Sequence, residues 1–217
     1  MVSNYVHNLN IGQTLSFMHN EHCLGKMDYP LPKDITSITM IAVGAGIAPM
    51  FRIIRALLDS NQKCEHVANI RLLYGARTVS DILLREQLDQ WHDSYDSNCN
   101  GNNDNDDSKK RFQVCYCIGS RWNNIHFHAK SNDQRQGPPL PKDWDTVPDD
   151  RKELGWVDGD KVQRRSASTA DDPGHRIFIC GLPGVYLKLA GSRFNTQVEE
   201  GTQLYKLGYR DHQVVKF

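Results

Sequence analysis

The chain has 217 residues, with 26 basic side chains balancing 26 acidic ones, so its formal net charge is zero. No basic stripe marks a nucleic-acid surface. Mean hydropathy is −0.59, and no apolar run approaches the ~20 residues of a membrane-spanning helix. The length suits one sizeable α/β domain and part of another.

The first residues, Met1-Val-Ser3-Asn-Tyr-Val-His7, hold neither a charged nor an apolar block, so they do not read as a signal peptide. A β-branched, apolar run over 36–43 predicts the first strand. It stops at Gly44-Ala45-Gly46-Ile47-Ala48-Pro49, where a sharp turn leads into a helix over 49–59. Pro suits a helix's first turn, where its missing N–H would have no partner. The two glycines let the backbone turn and leave room for a ligand. The helix start then offers free N–H groups to a phosphate. Physically, this predicts a dinucleotide pyrophosphate on the turn; a tight βα turn without a ligand is the bland alternative.

A strand over 69–75 and a helix over 80–92 follow. Residues 94–110 are low-complexity and acidic-polar and read as a disordered loop. A strand at 111–118 precedes a polar, Pro-rich insertion over 125–151 and a third polar stretch over 162–174, both expected to be disordered. Arg164-Arg165-Ser166-Ala167-Ser168 inside that stretch reads as a solvated loop, with a kinase site as the alternative. The strand at 176–180 ends in Cys180-Gly181-Leu182-Pro183-Gly184 and repeats the grammar of the first turn. Helices over 184–190 and 196–206 and a strand over 212–217 complete the pattern. Strands alternating with helices predict a doubly wound parallel sheet covered on both faces. In such sheets ligands bind beyond the carboxyl ends of the strands, at the topological switch.

The six cysteines, at 23, 64, 99, 115, 117 and 180, are scattered and form no Cys-x-x-Cys. They read as reduced thiols in a cytoplasmic compartment. Cys115 and Cys117 share a strand face and read as buried apolar-like residues. His126 and His128 fall in a polar stretch without a second ligand pair, so no metal site is expected.

Gly44-Ala-Gly-Ile-Ala-Pro-Met50 and Cys180-Gly-Leu-Pro-Gly184 resemble the paired pyridine-nucleotide motifs of the ferredoxin–NADP reductase superfamily, and within it of the NADH–cytochrome b5 reductases. Leu72-Leu-Tyr-Gly-Ala76, Asp81-Ile-Leu-Leu-Arg85, Asp28-Tyr-Pro30, Lys206-Leu-Gly-Tyr209 and Val214-Val-Lys-Phe217 continue the match in order. Met1 to Gly12 resembles the last flavin-contacting motif of the family's FAD domain. The resemblance implies a C-terminal remnant of a FAD-binding β-barrel over 1–33, followed by an NAD(P)-binding domain over 34–217. The barrel part that carries the family's Arg-x-Tyr-Ser/Thr flavin clamp is not in this sequence.

By resemblance, Cys180 positions the nicotinamide, and Gly181, Leu182, Pro183 and Gly184 complete its turn. Tyr74, Gly75 and Ala76 take the adenosine ribose. Asp81 opposes a 2′-phosphate, which implies a preference for NADH, while Arg77 could instead pair with that phosphate. Ala45 stands where relatives carry Thr or Ser. Ser3 implies a flavin phosphate contact, and Phe217 either lies near the flavin or anchors the core. The implied activity is hydride transfer from NADH to FAD, then electron transfer to a haem protein such as cytochrome b5. The implied place is the cytoplasmic face of the cell's membranes, held there by an N-terminal anchor outside this chain. Two other readings stay open: an NAD(H)-binding domain without catalytic activity, and an interaction protein whose glycine turns are relics.

Overall fold

The computed structural model describes residues 8–16, 30–58, 65–94, 111–119 and 140–217. Ser3, most of the expected barrel remnant, nearly all of the loop over 94–110, His126, His128 and residues 125–139 of the second insertion lie outside the described residues. Strand β1 (Ser37–Val43) leads through a 3-10 turn (Gly44–Gly46) into α1 (Ile47–Leu58). Then come β2 (Asn69–Ala76), α2 (Arg85–Ser94), β3 (Phe112–Ile118), β4 (Lys152–Leu154) and α3 (Gly159–Arg165). The chain closes with β5 (His175–Cys180), α4 (Pro183–Leu189), α5 (Gln203–Lys206) and β6 (Val214–Lys216).

Six strands form one sheet in the order β4-β3-β2-β1-β5-β6, and every pairing is parallel. The chain steps outward from β1 to β4, then crosses back to lay β5 against the other edge of β1. The topology therefore switches between β1 and β5. Alternation along the strands divides the core in two. Ile38, Met40 and Ala42 face one way, with Ile47, Met50, Ile54 and Leu57 of α1 and Leu88 of α2. Ile41 and Val43 face the other way, with Val162 of α3, Tyr186 and Leu189 of α4 and Leu204 of α5. Each fully buried aliphatic side chain of this kind stabilises the fold by roughly 1.5–3 kcal/mol. No helix among the described residues is long and apolar enough to cross a membrane.

The polar stretch over 162–174 does not begin as a loop. Residues 162–165 are the last turn of α3, whose N-cap Asp158 accepts a hydrogen bond from the Lys161 amide at 3.0 Å. Arg164 and Arg165 both reach Glu153 of β4 at 2.7 Å, so the Arg-Arg pair fastens α3 to the sheet edge. Residues 140–151 of the second insertion carry two 3-10 turns. Buried Arg151 is held there by Asp89, Asp93 and Asp150 at 2.8–3.4 Å. The helix expected over 196–206 shortens to Gln203–Lys206. Gly201 takes φ +83, and the Glu199 carboxylate turns back to the Ser192 amide at 2.7 Å. The helix expected from residue 80 starts at Arg85, because Leu84 adopts φ +59. Cys115 and Cys117 are buried free thiols, as the strand pattern predicted.

Lys216 is buried in β6. Its ammonium donates to the carbonyls of Ala190, Ser192 and Gln197 at 2.6–3.0 Å, which ties the last strand to the end of α4 and the loop after it. His175 opens β5 opposite Ser37. Its Nδ1 lies 2.9 Å from Ser37 Oγ and its Nε2 3.3 Å from Thr39 Oγ1. Thr39 Oγ1 also accepts the Ala167 amide at 2.8 Å. Burial pushes the imidazole's pKa from 6.5 down to about 4, against the pull of Asp172. The folded chain therefore keeps His175 neutral where the unfolded chain protonates it. Stability is intact above pH 6.5 and is lost as pH falls toward 4, by up to about 3 kcal/mol. Urea denaturation across this window should show the decline, and His175→Gln should flatten it. An unchanged slope in the variant would assign the decline to other groups.

Candidate functional site

Three turns leave the carboxyl ends of β1, β2 and β5, at the switch point. In the first, Gly44 adopts φ +56, and a Cβ added there would meet nothing within 4 Å. This is the left-handed region, which only glycine enters without strain. Ala45 and Ala48 are exposed, Pro49 is half-buried, and Ile47 is buried as the first residue of the apolar stripe of α1. Gly46 is a different case. A Cβ on it would lie 2.1 Å from the Cys180 carbonyl oxygen and 2.9 Å from the Gly181 nitrogen. Its missing side chain makes room for the neighbouring turn, a packing role the sequence reading did not foresee.

The second turn is built on Tyr74. Its side chain is fully buried, so it is not an open ribose surface. The hydroxyl donates to the Gly44 carbonyl at 3.1 Å and accepts the Leu83 amide at 3.2 Å. Burial raises its pKa, so the proton stays on the phenol. Gly75 lies beside Val43, where a Cβ would stand 3.0 Å from a valine methyl, and Ala76 is buried. Beyond them Arg77 and Asp81 do not compete for one ligand group. They pair with each other, Nε to Oδ2 at 3.2 Å, with side chains 75% and 38% exposed. The Thr78 hydroxyl and then the Arg77 guanidinium hold the Asp81 carboxyl below the usual range.

The third turn begins at Cys180, which is half-buried at the end of β5. Gly181 packs on the other side of Val43, where a Cβ would lie 3.0 Å from the valine Cβ. Leu182 is 56% exposed, Pro183 opens α4, and Gly184 faces open space. Phe217 packs edge-on against Phe178 with ring centroids 5.8 Å apart, and its amide donates to the Ile179 carbonyl at 2.9 Å. The sequence reading missed Val43 and Tyr186. Val43 looked like one more apolar strand residue, although its position just before the turn was a usable signal. Tyr186 is a buried tyrosine whose hydroxyl needs a partner; it finds two, the Gly181 amide at 3.2 Å and the Phe217 main-chain oxygen at 2.6 Å.

A separate cavity of about 250 Å³ opens beside Arg71, His92, Gln113, Cys115, Asp150 and Arg165, and no residue of the three turns lines it. Among the described residues, no group of three His, Cys, Asp or Glu side chains converges to hold a metal ion.

Residues 40–117, which include the first two turns, match the sequence model of the oxidoreductase NAD-binding domain. The whole chain aligns with a solved structure, the cytochrome b5 reductase domain of Ulva prolifera nitrate reductase, at a TM-score of 0.62 and 22% identity, covering 65% of that chain. The chain therefore has the α/β fold of that reductase domain, and its residues 40–117 are similar to oxidoreductase NAD-binding domains. Curated relatives similar to the chain include NADH–cytochrome b5 reductases and nitrate reductases, in keeping with the resemblance seen in the motifs. The NADH-cytochrome b5 reductase 2 of Coccidioides immitis is 27% identical and that of Lodderomyces elongisporus 24% identical, each over all of this chain. The chain spans 53% and 58% of their respective lengths.

The turn glycines divide into those packed against protein and those facing open space, and this division has a measurable consequence. Gly46→Ala should destabilise the chain by about 1–3 kcal/mol or more, because its methyl meets the Cys180 backbone. Gly184→Ala should leave stability unchanged or raise it by up to about 1 kcal/mol, since it adds a helix former in open space. Thermal melts of the two variants check this, and equal melting temperatures would contradict the packing assigned to Gly46.

Proposed function

We propose that this chain is the NADH-binding part of an electron-transfer flavoenzyme of the cytochrome b5 reductase type. Such an enzyme passes a hydride from NADH to FAD and then single electrons to a haem-protein acceptor. The observation that carries the reading is the open Gly44 turn at the β1/β5 switch, flanked by the turns after β2 and β5. The family resemblance of all three turns supports it.

The residues fit a dinucleotide laid across the carboxyl ends of the strands. Gly44, with its left-handed backbone and free space, and exposed Ala45 and Ala48 offer an uncharged backbone surface at the start of α1. A twelve-residue helix beginning there orients its dipole toward a pyrophosphate. The backbone of Tyr74, Gly75 and Ala76 forms the corner assigned to the adenosine ribose, with Arg77 and Asp81 beside it. Cys180 and Gly181, with exposed Leu182 above them, form the wall assigned to the nicotinamide, and Pro183 and Gly184 continue it. A bound reduced nicotinamide supplies the hydride; the protein binds, orients and excludes water. In this reading no side chain of the chain moves a proton. Ser3 and the flavin remain part of the proposal, as do the cytochrome b5-type acceptor and the cytoplasmic location.

Calorimetric titration with NADH and with ADP-ribose tests the assignment. Both should bind, and Ala45→Asp should weaken both at least about tenfold, because a carboxylate would face the pyrophosphate. No binding of either ligand at millimolar concentration, or equal affinities in the variant, would overturn the reading.

Cofactor choice follows from the Arg77–Asp81 pair. The two opposite charges lie together at the ribose corner, so the preference for NADH over NADPH should be modest. Asp81→Ala releases the guanidinium and should shift the ratio of dissociation constants toward NADPH by roughly five- to tenfold. Arg77→Ala should shift it toward NADH. If the ratio stays fixed in both variants, the 2′ position lies elsewhere.

A further inference from the structure

Two buried tyrosines occupy matching positions in this site. Tyr74 links the turn after β1 to the segment before α2. Tyr186 does the same on the other side of the switch, and its role is not implied by either glycine motif. It lies three residues after Pro183, in the first turn of α4. Helical side chains lean toward the N-terminus, which aims the phenol back at the start of its own helix. The ring is fully buried with Val185 and Leu189, where an apolar residue would pack equally well. The hydroxyl is what such a residue would lack. It accepts the Gly181 amide at 3.2 Å and donates to the Phe217 main-chain oxygen at 2.6 Å.

We propose that Tyr186 is a positioning residue for the nicotinamide-side turn, and that it fixes the Cys180–Gly181 backbone in its binding geometry before the ligand arrives. The inference rests on the function proposed above. The turn is held from two sides. Val43 presses on Gly181 from β1, and no Cβ would fit between them without displacement. Tyr186 pulls the same residue's amide from the α4 side. Phe217 is itself tied to β5 through its amide and the Ile179 carbonyl, so the hydroxyl closes a loop of backbone contacts running β5, turn, α4 and β6. Burial lifts the phenol's pKa to about 12, so it stays a proton donor to Phe217 across the physiological range. A turn ordered in advance spares the ligand the cost of ordering it.

Comparing NADH with ADP-ribose, which lacks the nicotinamide, tests the proposal on the whole 217-residue chain. Tyr186→Phe removes one oxygen and keeps the ring. It should weaken NADH binding about three- to tenfold, the value of one lost hydrogen bond, and leave ADP-ribose within about twofold. Tyr74→Phe, which loosens the turn at Gly44, should weaken both ligands together. An equal loss for both ligands in Tyr186→Phe, or no loss for either, overturns the positioning role. Wild-type protein that binds neither ligand overturns the proposed function itself, and this inference with it. Hydrogen exchange on the unliganded wild type reads the same contact without a variant. The Gly181 amide should be protected, and exchange at the rate of an open chain would overturn the proposal.

Discussion

The constraint on which the three turns depend is the meeting of two backbones, Gly46 of the first turn and Cys180 at the end of β5. Placing β5 directly beside β1 forces their exits to share one small volume. The sheet resolves the crowding by removing side chains. Gly46 yields to the Cys180 carbonyl, while Gly75 and Gly181 yield to Val43 from opposite sides. Val43 is the last residue of the central strand and works as a wedge between the two outer turns. The spacing of all three turns is therefore set by main-chain contact, with little freedom to drift. Gly44 and Gly184 stand apart from this packing and leave the face above it clear.

Charge is distributed in keeping with that arrangement. The large ionic groupings lie away from the turns, where they fasten elements together. Arg151 gathers three aspartates from α2 and the segment before β4, and Lys216 gathers three carbonyls beyond α4. A buried cation with this many partners costs several kcal/mol when a partner is lost. At the turns themselves the only ion pair among the described residues is the exposed Arg77–Asp81 contact. Polar control there falls to two tyrosine hydroxyls that address backbone atoms. Such a surface suits a large, multiply hydrogen-bonding ligand whose reactive group belongs to the ligand.

The strands β1, β2, β3 and β5 were legible because each is a nearly continuous apolar run, the mark of a strand buried on both faces. Their alternation with helices predicted a parallel sheet, but not the order of the strands in it. Strand β4 was not legible. Lys152-Glu-Leu154 is a half-exposed edge of three residues with no apolar run, and only its pairing with Tyr116–Ile118 makes it a strand. Helix α3 was hidden for a related reason: its seven residues carry a single valine, and Arg164 and Arg165 read as loop charges until Glu153 is in place. The Asp158 N-cap was the available signal. In the site, the positions of the turns could be read from sequence, but the separate purposes of Gly44 and Gly46 could not. The difference depends on which strand lies next door, a fact of register between residues more than 130 positions apart. Arg77 and Asp81 looked opposed because their mutual contact, four residues apart around a 3-10 turn, was not foreseen.

The strand order also governs how the chain must come together. Strands β1 to β4 and their helices are adjacent in sequence, and their pairings can form as soon as about 155 residues exist. The other edge of β1 has to wait for β5, whose last residue is Cys180. Until then a long, apolar, unpaired edge at the heart of the sheet is open to any other strand. During synthesis this exposure lasts for the time needed to translate the intervening polar stretches. The same crossover that brings the three turns together thus makes assembly depend on a late, long-range closure. The half-built sheet is the stage most open to mispairing and to capture by a chaperone.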